Sequence, residues 1–288
     1  MLPQPALDLL AHHYGAPPGE LAPTFGGFSH HSALATIGRR RCVVKAAEAA
    51  PKRADLRHEA RVLALLRGSG LPAPALLALA EDAAWTVEVL KFVPGANGLH
   101  MLASAPAELE RVYGALGRAL AAVHHIPLAP PAQDWLLAER AGQMHKALAD
   151  LPIDAELRAA LATGLEHPAW RSPDARLVHG DAGIHNLLWD GRITALLDWE
   201  WAGWGEPLID LAWVWWTMRW RSLPGRMWPM FLAGYAAEHT PPAAEPATLH
   251  TLALGQIAGI LVRAQGQVGA WDEWLRRANW TLRLEIGD

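Results

Sequence analysis

The sequence predicts an α+β chain in two parts: a small N-terminal part built on an antiparallel sheet, and a larger, mainly helical C-terminal part. Three observations carry this. Short β-prone runs separated by glycine turns fill the chain up to Pro94-Gly95, with one strong helix among them. Amphipathic helical segments dominate after that point. The stretch "LVHGDAGIHNLLWDGRITALLDWEWAG", from Leu177 to Gly203, interrupts them with short apolar strands. The chain has 288 residues, 51% of them apolar and 19% charged, enough to bury a large core and too few charges for disorder.

The elements follow in order. "MLPQPALDLLAHHYG" suits a short helix and lacks the charged-then-apolar pattern of a signal peptide. "LAPTFGGFSHHSALATIGRRRCVVKAA" reads as three strands, turning at Gly26-Gly27 and at Gly38-Arg39. "PKRADLRHEARVLALLRGSG" reads as a helix. Pro51 fits its first turn, Leu56, Ala60, Leu63 and Leu66 lie near helical spacing, and Gly68 and Gly70 end it. Two further strands, around "PALLALA" and "WTVEVLKF", join at Glu81-Asp82. Beyond Pro94-Gly95, "PAELERVYGALGRALAAVHHI" sets Leu109, Val112, Leu116, Leu120 and Val123 on one helix face, and helical segments continue to about Leu165. Leu187–Trp189, the turn Asp190-Gly191, and Arg192 to Leu196 form a hairpin. From Leu208 on, helices are broken at "SLPG" and "HTPPAAEP". The expected division is residues 1–93 and 94–288.

Composition excludes some partners. A net charge of −4 leaves no basic footprint for nucleic acid. The single cysteine, Cys42, forms no intramolecular disulfide, and the cytoplasm is the expected compartment. No run of about 18 uncharged apolar residues stands out, so no membrane partner is expected. The sequence carries no signal of oligomeric state.

The stretch from Leu177 sets His179, Asp181, His185, Asn186, Asp198 and Glu200 among apolar runs. Buried carboxylates are costly unless they are paired or bind a cation. His179, Asp181 and Asn186 spell H-x-D-x-x-x-x-N, and Asp198 follows twelve residues after Asn186 at the end of the hairpin. That is the spacing of the protein-kinase catalytic loop and its metal-binding aspartate. Phosphoryl transfer needs a carboxylate near the attacking hydroxyl, supplied by Asp181, and hard oxygen ligands for Mg²⁺, supplied by Asn186 and Asp198. Lys45 ends the strand "CVVK", and Glu59 lies fourteen residues on in the helix, the pairing that holds the α- and β-phosphates in kinases. The turn "FGGFSHHS" is expected to cover the phosphates with backbone N–H groups at Gly26, Gly27 and Ser29.

Each residue alone has a plainer reading. A Gly-Gly pair is usually only a turn, a lysine after a strand is usually on the surface, and His179 and Asp210 read as structural groups. A transition-metal trio of His179, Asp181 and His185 leaves Asn186 and Asp198 unexplained. Five positions in order at kinase spacing are poorly explained by coincidence. Glu200 reads either as a group behind the metal ligands or as a surface acid. Eleven of the 15 tryptophans lie after Asp198, where core packing is the default and lining of an acceptor pocket the alternative. From residue 199 on there are nine acids against seven arginines, a thin acidic excess for a polycationic acceptor.

H-G-D-x-x-x-x-N, D-W-E and "GEPLIDLA" together resemble the aminoglycoside phosphotransferase and choline kinase-like family, small-molecule kinases with a bilobal protein-kinase-like fold. The resemblance runs from about Gly26 to Ala212. It implies Asp181 as catalytic base, Asn186 and Asp198 as Mg²⁺ ligands, Lys45 with Glu59 as the nucleotide clamp, and Asp210 as a brace of the catalytic loop. "KFVPG" resembles the family's hinge, which implies adenine contacts at the Lys91 carbonyl and the Val93 N–H, with Leu90 as gatekeeper. The expected function is transfer of a phosphate from ATP, with GTP an open second donor, to a hydroxyl of a small molecule. The resemblance implies aminoglycosides, choline or ethanolamine, amino-acid alcohols or sugars as acceptors. Two alternatives are a nucleotide-binding, pseudokinase-like regulator without turnover and a nucleotidyl transferase.

Overall fold

The computed structural model describes residues 2–24, 30–267 and 269–286. In chain order the elements are α1 (Gln4–Tyr14), β1 (Gly19–Pro23), β2 (His31–Ile37), β3 (Arg40–Ala47), α2 (Ala50–Leu65), β4 (Leu76–Glu81), β5 (Thr86–Lys91), β6 (Ala96–Asn97), α3 (Gly98–Ser104), α4 (Leu109–His124), α5 (Leu137–Leu148), α6 (Ala155–Glu166), β7 (Arg176–Val178), β8 (Leu187–Trp189), β9 (Ile193–Leu196), β10 (Gly203–Gly205), α7 (Leu208–Trp220), α8 (Met227–Ala236), α9 (Pro246–Ala264) and α10 (Ala270–Leu282). They form two compact units. Residues Met1–Pro106 and Ile184–Trp201 make the first, and Ala107–Gly183 and Ala202–Asp288 the second. The β8–β9 hairpin therefore groups with the first sheet, whereas a division at 93/94 places it with the helical part.

The first unit is organised by alternation along its strands. Its antiparallel sheet has the order β1-β2-β3-β5-β4. Ala33, Ala35, Cys42, Val44, Ala46, Val87 and Val89 share a core with Ala6 and Leu10 of α1. Side chains alternate across a strand, so Lys45 and Glu88, which face each other across β3 and β5, point to the opposite face. That face packs on α2. Pro51 lies in the first turn of α2, where its missing N–H costs nothing.

A second small sheet, β6-β8-β9, completes this unit. Asp190-Gly191 turns the hairpin, with Gly191 in the left-handed region (φ 69). Gly95, at φ 146, lies so close to the hairpin that a Cβ would stand 2.8 Å from Thr194 Oγ1 and 3.0 Å from Leu188 Cβ. The sequence signal at Pro94-Gly95 thus marks a close approach of backbone to hairpin. Asn97 caps α3, accepting from the Leu99 N–H, and its Nδ2 donates to the His185 carbonyl at 2.8 Å.

The second unit packs α4 on α8, α6 on α9, and both α7 and α10 on α9. Every residue of α7 from Leu208 to Met218 is buried, so it has no polar face to advertise amphipathicity. Helix α9 is apolar enough and, at 19 residues, long enough to cross a membrane by composition alone, and most of its length is buried among its helical neighbours. Two strands too short to show alternation in the sequence, β7 and β10, pair antiparallel in this unit; β6 escapes notice in the first for the same reason.

Glycines set the closest helix approaches. A Cβ on Gly255 of α9 would stand 2.6 Å from the Gly164 carbonyl of α6, and one on Gly164 would run into the Gly255 backbone. Gly164→Ala is expected to cost about 1–3 kcal/mol by overpacking, read as a lower midpoint in chemical denaturation. An unchanged midpoint would show that these helices can slide apart freely.

Candidate active site

Lys45 joins three parts of the first unit. Its Nζ donates to both Glu59 oxygens, at 2.7 and 2.9 Å, and to Asp198 Oδ1 at 2.5 Å. β3 supplies the lysine, α2 the glutamate and the end of the hairpin the aspartate. The Glu59 side chain is wholly buried, Lys45 is 12% exposed and Asp198 42% exposed. Burial works against the Lys45 ammonium, yet the charges of Asp198, Glu59 and Glu88 outweigh it and raise its pKa well above the ordinary lysine value. Glu59 Oε1 also accepts the Trp199 N–H at 3.3 Å, which fixes the turn after Asp198.

The hairpin register places the two expected metal ligands together. Leu187 pairs with Leu196, and one step outward the Leu197 N–H donates to the Asn186 carbonyl at 2.8 Å. Asp198 follows directly in the left-handed region (φ 58), a conformation a non-glycine residue adopts at a cost. An amide oxygen donor and a carboxylate donor at adjoining strand ends fit Mg²⁺, which takes one or two protein ligands beside phosphate oxygens.

The Glu200 side chain is only 9% exposed, which removes the surface reading. Its carboxyl faces His30 Nδ1 at 3.5 Å, and both lie near Asp55, ligand atoms of the three falling within 4.8 Å of one another. Burial, reinforced by the charge of Asp198, pushes the Glu200 carboxyl up to about 8. Burial and the cations Lys45 and Lys52 bring the His30 ring down to about 3. Leu90 is buried at the end of β5, Lys91 closes the strand exposed, and Val93 is half-buried two residues on. Gly26, Gly27 and Ser29 lie outside the described residues.

In the second unit the loop bearing Asp181 is held by Asp210. This buried carboxylate accepts the His179 N–H and the Gly180 N–H, each at 2.7 Å. His124 Nε2 donates to the same carboxylate at 3.0 Å, and His124 Nδ1 faces the Tyr235 hydroxyl at 2.9 Å. Burial pushes Asp210 up, but the His124 ring and the loop N–H outweigh it and hold the carboxyl below its ordinary range. Gly180 takes a left-handed turn (φ 81), and Gln256 Nε2 donates to its carbonyl at 3.4 Å. His179 Nδ1 accepts the Asp181 N–H at 3.3 Å, so the histidine serves the loop's own backbone. The Trp213 indole N–H donates to Asp181 Oδ1 at 2.6 Å.

A sequence profile of the phosphotransferase enzyme family matches residues 21–250. The chain belongs to this family. The fold agrees: the aminoglycoside phosphotransferase APH(4)-Ia, in a thermostable mutant solved with ADP and hygromycin B, superposes with a TM-score of 0.71 at 20% identity, covering 98% of this chain and 99% of that one. An aminoglycoside-3'-phosphotransferase of type VIII gives 0.67 at 24% identity, over 88% of this chain and 98% of that one. The macrolide 2'-phosphotransferase MphH of Brachybacterium faecium gives 0.63 at 22%, over 99% and 100%. A further match, 25% identical over 179 residues, is to acyl-CoA dehydrogenase family member 10 of Mus musculus. It covers 56% of this chain and only 17% of the mouse protein. This member of the phosphotransferase enzyme family has an α+β, protein-kinase-like fold.

Sequence reading missed three groups of this phosphotransferase's site. Glu88 looks like the polar position of an ordinary alternating strand, yet it is fully buried beside Lys45 and Glu59. His124 lies 86 residues from its partner Asp210, and Trp213 reads as one core tryptophan among many. An acid inside "TVEVLK" is the one signal open to inspection.

Burial first, and then the like charge of Glu59, raise the Glu88 carboxyl well above its ordinary value of 4.5, with Lys45 only partly offsetting them. Stability from such a group is fully present below the unfolded pKa and is lost as pH rises towards the folded one. Glu88→Gln is therefore expected to raise the melting temperature at pH 7–8, with the gain shrinking to nothing near pH 4. A gain independent of pH would show that Glu88 is not held neutral.

Proposed function

We propose that the chain transfers the γ-phosphoryl group of ATP, as its Mg²⁺ complex, to a hydroxyl of a small molecule. The observation that carries this is the bonding of Lys45 to the buried Glu59 and to the partly exposed Asp198. A lysine so held is a compact, permanently charged group suited to binding phosphate oxygens. Lys45 orients the nucleotide phosphates, and Glu59 keeps its ammonium in place. Asn186 and Asp198 hold Mg²⁺, which when bound supplies positive charge to the phosphate oxygens. Lys91 and Val93 offer backbone groups to the adenine.

Asp181 orients the acceptor hydroxyl and takes its proton as the oxygen attacks phosphorus and the bond to ADP breaks. Trp213 holds one oxygen of that carboxylate. Asp210 fixes the loop through the N–H groups just before it. APH(4)-Ia has been solved with ADP and with hygromycin B, which supports a nucleotide donor and a small-molecule acceptor here.

The test is ADP release with Mg²⁺-ATP, and in parallel Mg²⁺-GTP, across a panel of hydroxylated acceptors. Asp181→Ala is expected to bind ATP normally and lose about 10²-fold or more in kcat. Undiminished turnover would remove Asp181 from the base role. Asp198→Asn is expected to move the Mg²⁺ titration of activity to higher concentration, and a superimposable titration would count against its place as a ligand. ATP binding without release for any acceptor would favour a regulator, and transfer of a nucleotidyl mass would favour the third class.

A further inference from the structure

The residues around Asp181 in the second unit indicate what the acceptor carries besides its hydroxyl. Trp213, Thr217 and Arg221 follow one i, i+4 ridge of α7. Arg221 is the capping residue, and its N–H still bonds the Thr217 carbonyl in helical fashion. It lies about 12 Å along the axis from Trp213, and helix side chains lean back towards the N-terminus, so its long side chain returns towards the Trp213–Asp181 contact.

The Arg221 guanidinium lacks the partner that buried arginines ordinarily have. Its Nε is buried with no hydrogen-bond acceptor among the described residues. The charged or polar groups within its electrostatic reach are the Tyr113 hydroxyl, the Arg277 guanidinium and the Asp181 carboxylate. The Tyr113 hydroxyl is itself buried without a partner. Arg277 is already committed: it bonds Glu273 at 2.7 Å and lies over the rings of Trp274 and Trp220. Trp213, Trp216 and Trp274 stack on one another, so a wall of indoles runs from Asp181 to Arg277. A half-buried guanidinium whose buried Nε–H has no acceptor keeps donors to spare, and its planar fork matches a carboxylate or a phosphate.

We propose that Arg221 anchors an anionic group of the acceptor, so that the substrates of this kinase are hydroxylated small molecules bearing a carboxylate or a phosphate. The inference rests on the phosphotransferase reading with Asp181 as base, and Arg221 then fixes the end of the acceptor opposite its reacting hydroxyl. A polycationic aminoglycoside would instead bring ammonium groups against Arg221 and Arg277.

The experiment uses glycerate, sn-glycerol 3-phosphate, glycerol, choline and kanamycin as probes. Binding is measured by calorimetry and turnover by ADP release, for the wild type, Arg221→Gln and Arg221→Lys. Thermal melting of each variant establishes that it folds. At least one anionic probe is expected to bind the wild type about 30-fold or more tightly than glycerol, and Arg221→Gln is expected to abolish that advantage. Arg221→Lys should recover part of it, and the KM for ATP should not move. The comparison of glycerate with glycerol 3-phosphate decides between carboxylate and phosphate. Preference for choline or kanamycin, absence of binding by both anionic probes, or an anionic advantage intact in Arg221→Gln would each overturn the proposal. Anionic binding through Arg221 without any ADP release would uphold the anion site and overturn the kinase mechanism instead.

Discussion

Lys45 cannot be withdrawn from its partners without leaving buried charge behind, and much of the first unit follows from that. Its ammonium bonds Glu59, fourteen residues on, and Asp198, 153 residues on. Removing one partner of a buried ion pair costs about 3–5 kcal/mol, because the other charge is left uncompensated. The position of α2 on the sheet, the register of the hairpin and the left-handed turn at Asp198 are therefore coupled through one cation. The surplus acid follows as well. Lys45 and Glu88 are cross-strand neighbours, so the face that holds the lysine also holds a third carboxyl. Burial, together with the like charge of Glu59, accordingly raises the pKa of the Glu88 carboxyl, and Lys45 offsets this only in part.

The second unit solves the complementary problem with an anion. Asp210 sits at the start of a helix whose first eleven residues are all buried, where an unsatisfied carboxylate would be untenable. Two loop N–H groups and the His124 ring satisfy it. Because those N–H groups belong to His179 and Gly180, satisfying the carboxylate also sets the backbone that leads into Asp181. Trp213, three residues after Asp210 on the same helix, then aims one oxygen of the Asp181 carboxylate. A single turn of α7 thus determines both the path of the loop and the rotamer of the side chain it presents.

How much of this was legible in the sequence follows from how each contact is encoded. Strands β1 to β5, helix α2 and the Asp190-Gly191 hairpin announce themselves through local signals: alternation, a proline in a first turn, glycine at left-handed positions. Lys45, Glu59, Asn186 and Asp198 stand out because polar residues at fixed spacing interrupt apolar runs, and the structure gathers all four into the first unit. Glu88 did not stand out, because alternation shows that a residue faces away from one core and cannot show that the other face is buried too. His124 and Trp213 were illegible for another reason. Their partners lie on other elements, and both residue types occur commonly as plain core. The setting of Glu200 is not encoded locally, because its neighbours His30 and Asp55 lie more than 140 residues away in the chain. The hairpin returns to the first unit after 77 residues of the second, Ala107–Gly183, have intervened, and no composition change marks that return.

The choice of cation at the two key positions is consistent with this arrangement. The chain has only four lysines, Lys45, Lys52, Lys91 and Lys146, and uses arginine at most other basic positions. At position 45 the ammonium must share itself among oxygens arriving from different directions, and a rotatable point charge does that where a planar fork would enforce one geometry. At position 221 the requirement is reversed. The Arg221 Nε–H is buried with no acceptor among the described residues, and one oxygen of Asp181, the nearby carboxylate, is engaged by Trp213. A fork held open in that setting discriminates by geometry as well as by sign. It favours a flat or tetrahedral oxyanion at a fixed distance from the base, and it disfavours any acceptor that brings its own positive charge.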